Sequence, residues 1–170
     1  MGLKMRKPVL AISTLFVLPL LFSHGWAEEF KKWGDAGDWH VYVDTSVGNG
    51  CLIEKTFEDG SRMRMGHLPK KNGAYLSVAN KSWTHIEKGD SAVVHFDLDG
   101  VVFGGDVEPL VEGDWRGGFA YFNNPALVEE FASKNTMTIT GPSNQALRYS
   151  LKGTSAALSA LQKCRKKYEG

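Results

Sequence analysis

The chain has 170 residues, 42% of them hydrophobic, which suits one compact core rather than several. Its 20 Lys and Arg nearly balance 19 Asp and Glu, with both signs interspersed, so the charge gives no footprint for nucleic acid. The dense basic run, Lys163, Arg165, Lys166 and Lys167, falls where the last turn of a terminal helix welcomes cations.

In chain order, Lys4, Arg6 and Lys7 precede an apolar run from Val9 to Phe22 and then the small-residue site Gly25-Trp26-Ala27. That order is a secretory signal peptide, with cleavage expected between Ala27 and Glu28. The run is shorter than the ~20 residues of a membrane-spanning helix and carries Pro19 near its end, which disfavours an uncleaved anchor. Residues 28–170 then form one exported domain. Both cysteines, Cys51 and Cys164, lie in it, and an even count in an oxidising compartment argues for a Cys51–Cys164 bridge; the alternative is two free thiols.

After a polar and aromatic approach from Phe30 to Gly37, the sequence alternates through Trp39, His40, Val41, Tyr42 and Val43, which places Trp39, Val41 and Val43 on one strand face. Further strands are expected over Cys51 to Phe57, Arg62 to Met65, Ala74 to Ala79, Ser91 to Asp97, Val101 to Phe103 and Gly118 to Phe122, each bounded by turn-forming residues. Gly48-Asn49-Gly50 and Gly104-Gly105 read as hairpin turns. Asn124 as a cap and Pro125 at the first helical position open a short helix to Lys134. A hairpin from Thr136-Met137-Thr138-Ile139-Thr140 to Leu147-Arg148-Tyr149-Ser150-Leu151 follows, and a last helix carries Ala157, Leu161, Cys164 and Tyr168 along one stripe. The expected fold is mainly β with two short helices: an antiparallel sandwich or flattened barrel with the C-terminal helix docked on the sheet.

No Gly-x-Ser-x-Gly elbow, Ser-x-x-Lys or His-Glu-x-x-His occurs, and no phosphate loop or cofactor motif. The densest polar constellation is His95, Asp97 and Asp99, whose strand spacing would put an imidazole and two carboxylates on one face, as a divalent metal or a small hydrolase would need. The simpler account makes them the solvated face opposite Val94, Phe96 and Leu98, with Asp99-Gly100 forming a turn. Among the tryptophans, Trp39 belongs to the core by its alternation. Trp33 and Trp115 sit among Gly, Asp and Lys, which fits either core packing and loop plugs or exposed binding anchors.

Gly37-Asp38-Trp39-His40-Val41 with Cys51 soon after, Phe131 on a short helix before Met137-Thr138-Ile139, and Tyr149-Ser150-Leu151-Lys152-Gly153 before Ala156-Ala157-Leu158 and Leu161 together resemble the invasion-associated locus B family of exported proteobacterial proteins. The resemblance covers the two ends of the domain and departs over residues 55–122, where that family's central cysteine pattern is absent. It implies a periplasmic or secreted domain of a Gram-negative bacterium, with a link to host interaction. The expectation from residues and resemblance together is a non-catalytic domain that binds an envelope protein or a cell-surface component, without a cofactor. A small envelope hydrolase built around His95, Asp97 and Asp99 is the alternative.

Overall fold

A computed structural model describes residues 30–71, 73–89 and 91–168; the expected signal segment lies outside them. The elements are β1 (Phe30–Ala36), β2 (Trp39–Asp44), β3 (Gly50–Thr56), β4 (Arg62–Leu68), β5 (Gly73–Asn80), β6 (Ala92–Leu98), β7 (Val101–Glu112), β8 (Trp115–Phe122), α1 (Pro125–Ser133), β9 (Thr136–Thr140), β10 (Ala146–Ser150) and α2 (Thr154–Tyr168). They form one antiparallel array in the order β1-β2-β3-β4-β5-β8-β7-β6-β9-β10. Its end strands do not pair, so the barrel stays open.

The fold-over into two layers is made by β7. Its first part, Val101 to Val107, pairs with β6, and its second, Glu108 to Glu112, pairs with β8. One 12-residue strand therefore belongs to both layers. Gly104 and Gly105 lie inside it, opposite His95 and Val94, rather than in a turn. Phe30 to Ala36 likewise pairs with β2 as an edge strand, with a register shift between Lys32 and Gly34. The β6–β7 turn is the expected one: Asp99 and Gly100 have φ of 48° and 93°, and left-handed backbone at both central residues is what a two-residue type I′ hairpin requires.

Alternation decides which side chains meet between the layers. Val41, Val43, Ile53, Met63, Met65, Leu76 and Val78 face Val94, Phe96, Leu98, Met137 and Tyr149 or the helices, and all are buried. On the β1–β3 side the core is closed by α2, which buries Ala157, Leu158, Leu161 and Cys164 against the sheet. The Cys51–Cys164 disulfide is formed, with Cα atoms 6.1 Å apart across a sequence separation of 113. At the other end of α2 the Thr154 hydroxyl lies 2.8 Å from the carbonyl oxygens of both Phe131 and Leu151, tying α2 to α1. Asn124 accepts from the Ala126 amide at 3.0 Å and Pro125 opens α1, as the sequence indicates.

Where the two layers come together, β10 reaches the turn between β3 and β4. The Tyr149 hydroxyl donates to Ser61 Oγ at 3.3 Å, and the Tyr149 ring packs 4.8 Å from that of Phe57. Burial pushes the Tyr149 phenol above its ordinary value of 10.0, and the hydrogen bond with Ser61 opposes that rise. Tyr149→Phe is expected to cost about 0.5 to 1.5 kcal/mol, read from the urea midpoint. The folded chain holds this phenol protonated where the unfolded chain releases its proton, so the stability involved is intact below pH 10.0 and declines above it. The variant should lose that part of the alkaline decline.

Candidate functional site

The two layers do not fill the space between them completely. Under β5 and β8 lies a cavity of about 540 Å³, open to solvent on one side. Its floor is Leu76 and Val78 of β5 with Gly118 and Ala120 of β8, and its roof is Val94 and Phe96 of β6, Ile139 of β9 and Leu147 of β10. The β8 wall is made of small residues, and Val107 takes part of the room they leave. A Cβ on Gly118 would come 2.4 Å from Val107 Cγ1, so Val107 occupies the room a side chain would need there, and Ala120 offers only a methyl group. A volume of this size falls within the usual range for small-molecule sites.

The mouth is formed by two loops. The β5–β6 loop contributes Trp83, His85 and Ile86, and the β9–β10 turn contributes Gly141, Pro142, Ser143 and Gln145. Asn80, at the end of β5, fixes the first loop: its Oδ1 accepts from Ser82 N at 2.9 Å and from Ser82 Oγ at 2.8 Å, and its Nδ2 donates to Asp59 O at 3.0 Å and to Ser61 Oγ at 3.1 Å. This buried amide holds the start of the loop, so the half-buried Trp83 ring sits at the cavity entrance with its packing on the core. His85 and Glu108 are the ionisable side chains of the lining, and both residues are exposed.

No family model matches the chain, and no curated protein does. A solved structure shares the architecture. This fold is similar to that of invasion associated protein B from Bartonella henselae. The two are 12% identical, with a TM-score of 0.54 over 81% of this chain and 99% of the Bartonella chain. At that identity the likeness to invasion associated protein B is one of fold.

The residues singled out in the sequence lie elsewhere. His95 and Asp97 project from the face of β6 opposite Val94 and Phe96, away from the cavity, and Asp99 leaves the strand alternation in its left-handed turn. Asp97 Oδ1 accepts from the Gly100 amide at 2.7 Å, while Asp99 Oδ2 accepts from Asn135 N at 2.7 Å and Thr136 N at 3.3 Å. The two carboxylates thus brace a turn and a helix exit. Among the described residues no group of three His, Cys, Asp or Glu is arranged to hold a metal, so the proposed ligand set His95, Asp97 and Asp99 is not assembled.

Trp115 belongs to the other side of the large layer, where a charged ladder crosses β3, β4 and β7. Arg62 Nη2 meets Glu112 Oε2 at 2.5 Å, Arg64 Nη1 meets the same oxygen at 3.2 Å, and Arg64 Nε meets Glu54 Oε2 at 2.6 Å. The Arg62 guanidinium lies 4.1 Å from the centroid of the Trp115 ring, and Arg64 lies 4.3 Å from that of Phe30. Burial, and then the Arg64 charge, lowers the Arg62 pKa, against the pull of Glu112 and Glu54. Trp115 is half-buried with this cation against its ring, and Trp33 is half-buried against the core. The bridged Cys51 and Cys164 are both fully buried.

Proposed function

We propose that this chain is an exported, non-catalytic binding domain of a Gram-negative envelope, related to the invasion-associated locus B family, and that it holds an apolar cell-surface component between its sheet layers. The cavity carries this reading: about 540 Å³ of space bounded by aliphatic and aromatic side chains, reached through a mouth that is polar only at its rim. Water gains few hydrogen bonds in such a space, whereas an apolar guest adds dispersion contacts and loses its own hydration. The disulfide and the signal-like N-terminus support an extracytoplasmic site of action, and no described helix is long and apolar enough to cross a membrane. The fold likeness to invasion associated protein B is consistent with a bacterial domain of this kind. Trp33 and Trp115 are secondary candidates on this reading, because both rings are already covered on one side.

The test uses protein isolated from the envelope, whose first residue after processing is Glu28 on this reading. Native mass spectrometry should find a non-covalent apolar adduct that organic extraction removes. Ala120→Phe, which fills the cavity, should fold with the same circular dichroism and carry none. Absence of any adduct, or an equal adduct on both proteins, would overturn the cavity as the binding site.

A further inference from the structure

From the size and lining of this cavity we infer that its ligand is an apolar molecule with an uncharged polar head; the inference rests on the binding role proposed above. Sheet layers pack about 10 Å apart, with side chains from both filling the gap. Along β8 that filling comes from the Ala120 methyl group and, beside Gly118, from Val107, and Phe96 and Ile139 line the same cavity. With ~30 Å³ as the share of one water-sized group, about 540 Å³ is room for roughly eighteen such groups, apolar part and head together.

The head is constrained by the rim. Among the described residues no Lys or Arg lines the cavity, so a carboxylate or phosphate drawn to its mouth finds no permanent cation there and loses hydration without compensation. A cationic head gains little either. Glu108 is the acidic residue of the described lining, and it is exposed, so solvent screens its charge. What the rim does offer is hydrogen bonding from Ser143, Gln145, His85 and the Trp83 indole. A hydroxyl, ester or amide head satisfies these groups and keeps its contact with water.

The test is a binding panel on the processed protein with one chain length and three heads, each below its micelle concentration: 1-dodecanoylglycerol, dodecanoate and dodecyltrimethylammonium. Affinity is read by isothermal titration calorimetry and by the change in Trp emission, with Trp83→Phe removing the optical signal from the rim. The glycerol ester should bind at least tenfold more tightly than either charged analogue, and Ala120→Phe or Leu147→Trp, each checked for folding, should abolish binding. If either charged analogue binds within tenfold of the ester or more tightly, the head assignment fails while the cavity reading stands. If none of the three binds, or if both filled variants fold and bind like the parent, the cavity reading itself fails.

Discussion

Replacing Trp39 by Ala should lower the unfolding free energy by about 3 to 5 kcal/mol, the range for truncating a fully enclosed large aromatic. The Trp39 side chain is 0% exposed and sits where three parts of the fold meet. Its ring packs edge-on against Phe131 of α1 with centroids 6.0 Å apart, and its indole N–H donates to Lys152 O at 3.1 Å, just before α2. The substitution therefore leaves a cavity and also removes the partner of a carbonyl that holds the entry to the last helix. Domains of this size are stable by ~5 to 15 kcal/mol, so the variant retains little reserve and should unfold at a much lower urea concentration. Trp115→Ala is the informative comparison. Its half-buried ring lies against Arg62 at the surface end of the charged ladder, and Arg62 keeps its ion pair with Glu112 when the ring is gone. If the midpoints of the two variants fall equally, Trp115 is a core residue and loses its standing as a candidate binding anchor.

The contrast between these tryptophans shows what the sequence could convey. Trp39 is legible because Val41 and Val43 continue its alternation on a strand bounded by clear turns, and Cys164 because Ala157 and Leu161 place it on a helical stripe. Local rules also recover the Asp99-Gly100 hairpin and the cap of α1, since each needs only adjacent residues. Other features depended on tertiary context. Phe30 to Ala36 has weak alternation and a register shift after Lys32, yet an edge strand needs only one well-paired neighbour, and β2 provides it. Gly104 and Gly105 look like a turn, but both layers share the strand that contains them, and glycine is tolerated where a strand bends between layers.

Asp99 illustrates a different limit. Counting by twos from His95 puts it on the same face as Asp97, but the alternation ends when its φ becomes positive, and its carboxylate is then taken up by the Asn135 and Thr136 amides. The cavity had no local signal at all. Its walls come from β5, β6, β8, β9 and β10 with two loops, and each contribution reads separately as an ordinary buried face. Only the folded arrangement, which brings Ala120, Gly118, Phe96 and Ile139 to one cavity, reveals that the faces fall short of filling the gap. Trp83, the residue at its entrance, belongs to a loop without strand or helix period, and its position follows from Asn80 holding the start of that loop.

Reduction of the disulfide should produce the other large loss of stability. The bridge spans 113 positions, so in the chain-entropy account its removal frees most of the domain in the unfolded state, worth up to ~4 to 5 kcal/mol before any native strain is subtracted. Its location adds a structural component. Cys51 lies at the start of β3 and Cys164 near the end of α2, so without the bridge the last turns of the helix stay docked through Leu161 and the partly buried Tyr168, while Thr154 still secures the first turn. Loss should therefore begin at the C-terminal end of α2 and spread to Val43 and Ile53 beneath it. Non-reducing peptide mapping should give one linked pair, Cys51 with Cys164, and the native protein should present no thiol to an alkylating reagent. Both sulfur-bearing residues are fully buried, so dithiothreitol should act slowly until denaturant exposes them, and the reduced protein should then show a clearly lower urea midpoint. The double variant Cys51→Ala, Cys164→Ala separates this loss from ligand binding, because the cavity walls lie on the strands away from α2. At denaturant concentrations where that variant remains folded, apolar binding should persist with stability reduced. Two readily alkylated thiols in the native protein, or a midpoint unmoved by reduction, would show that packing alone holds α2 in place.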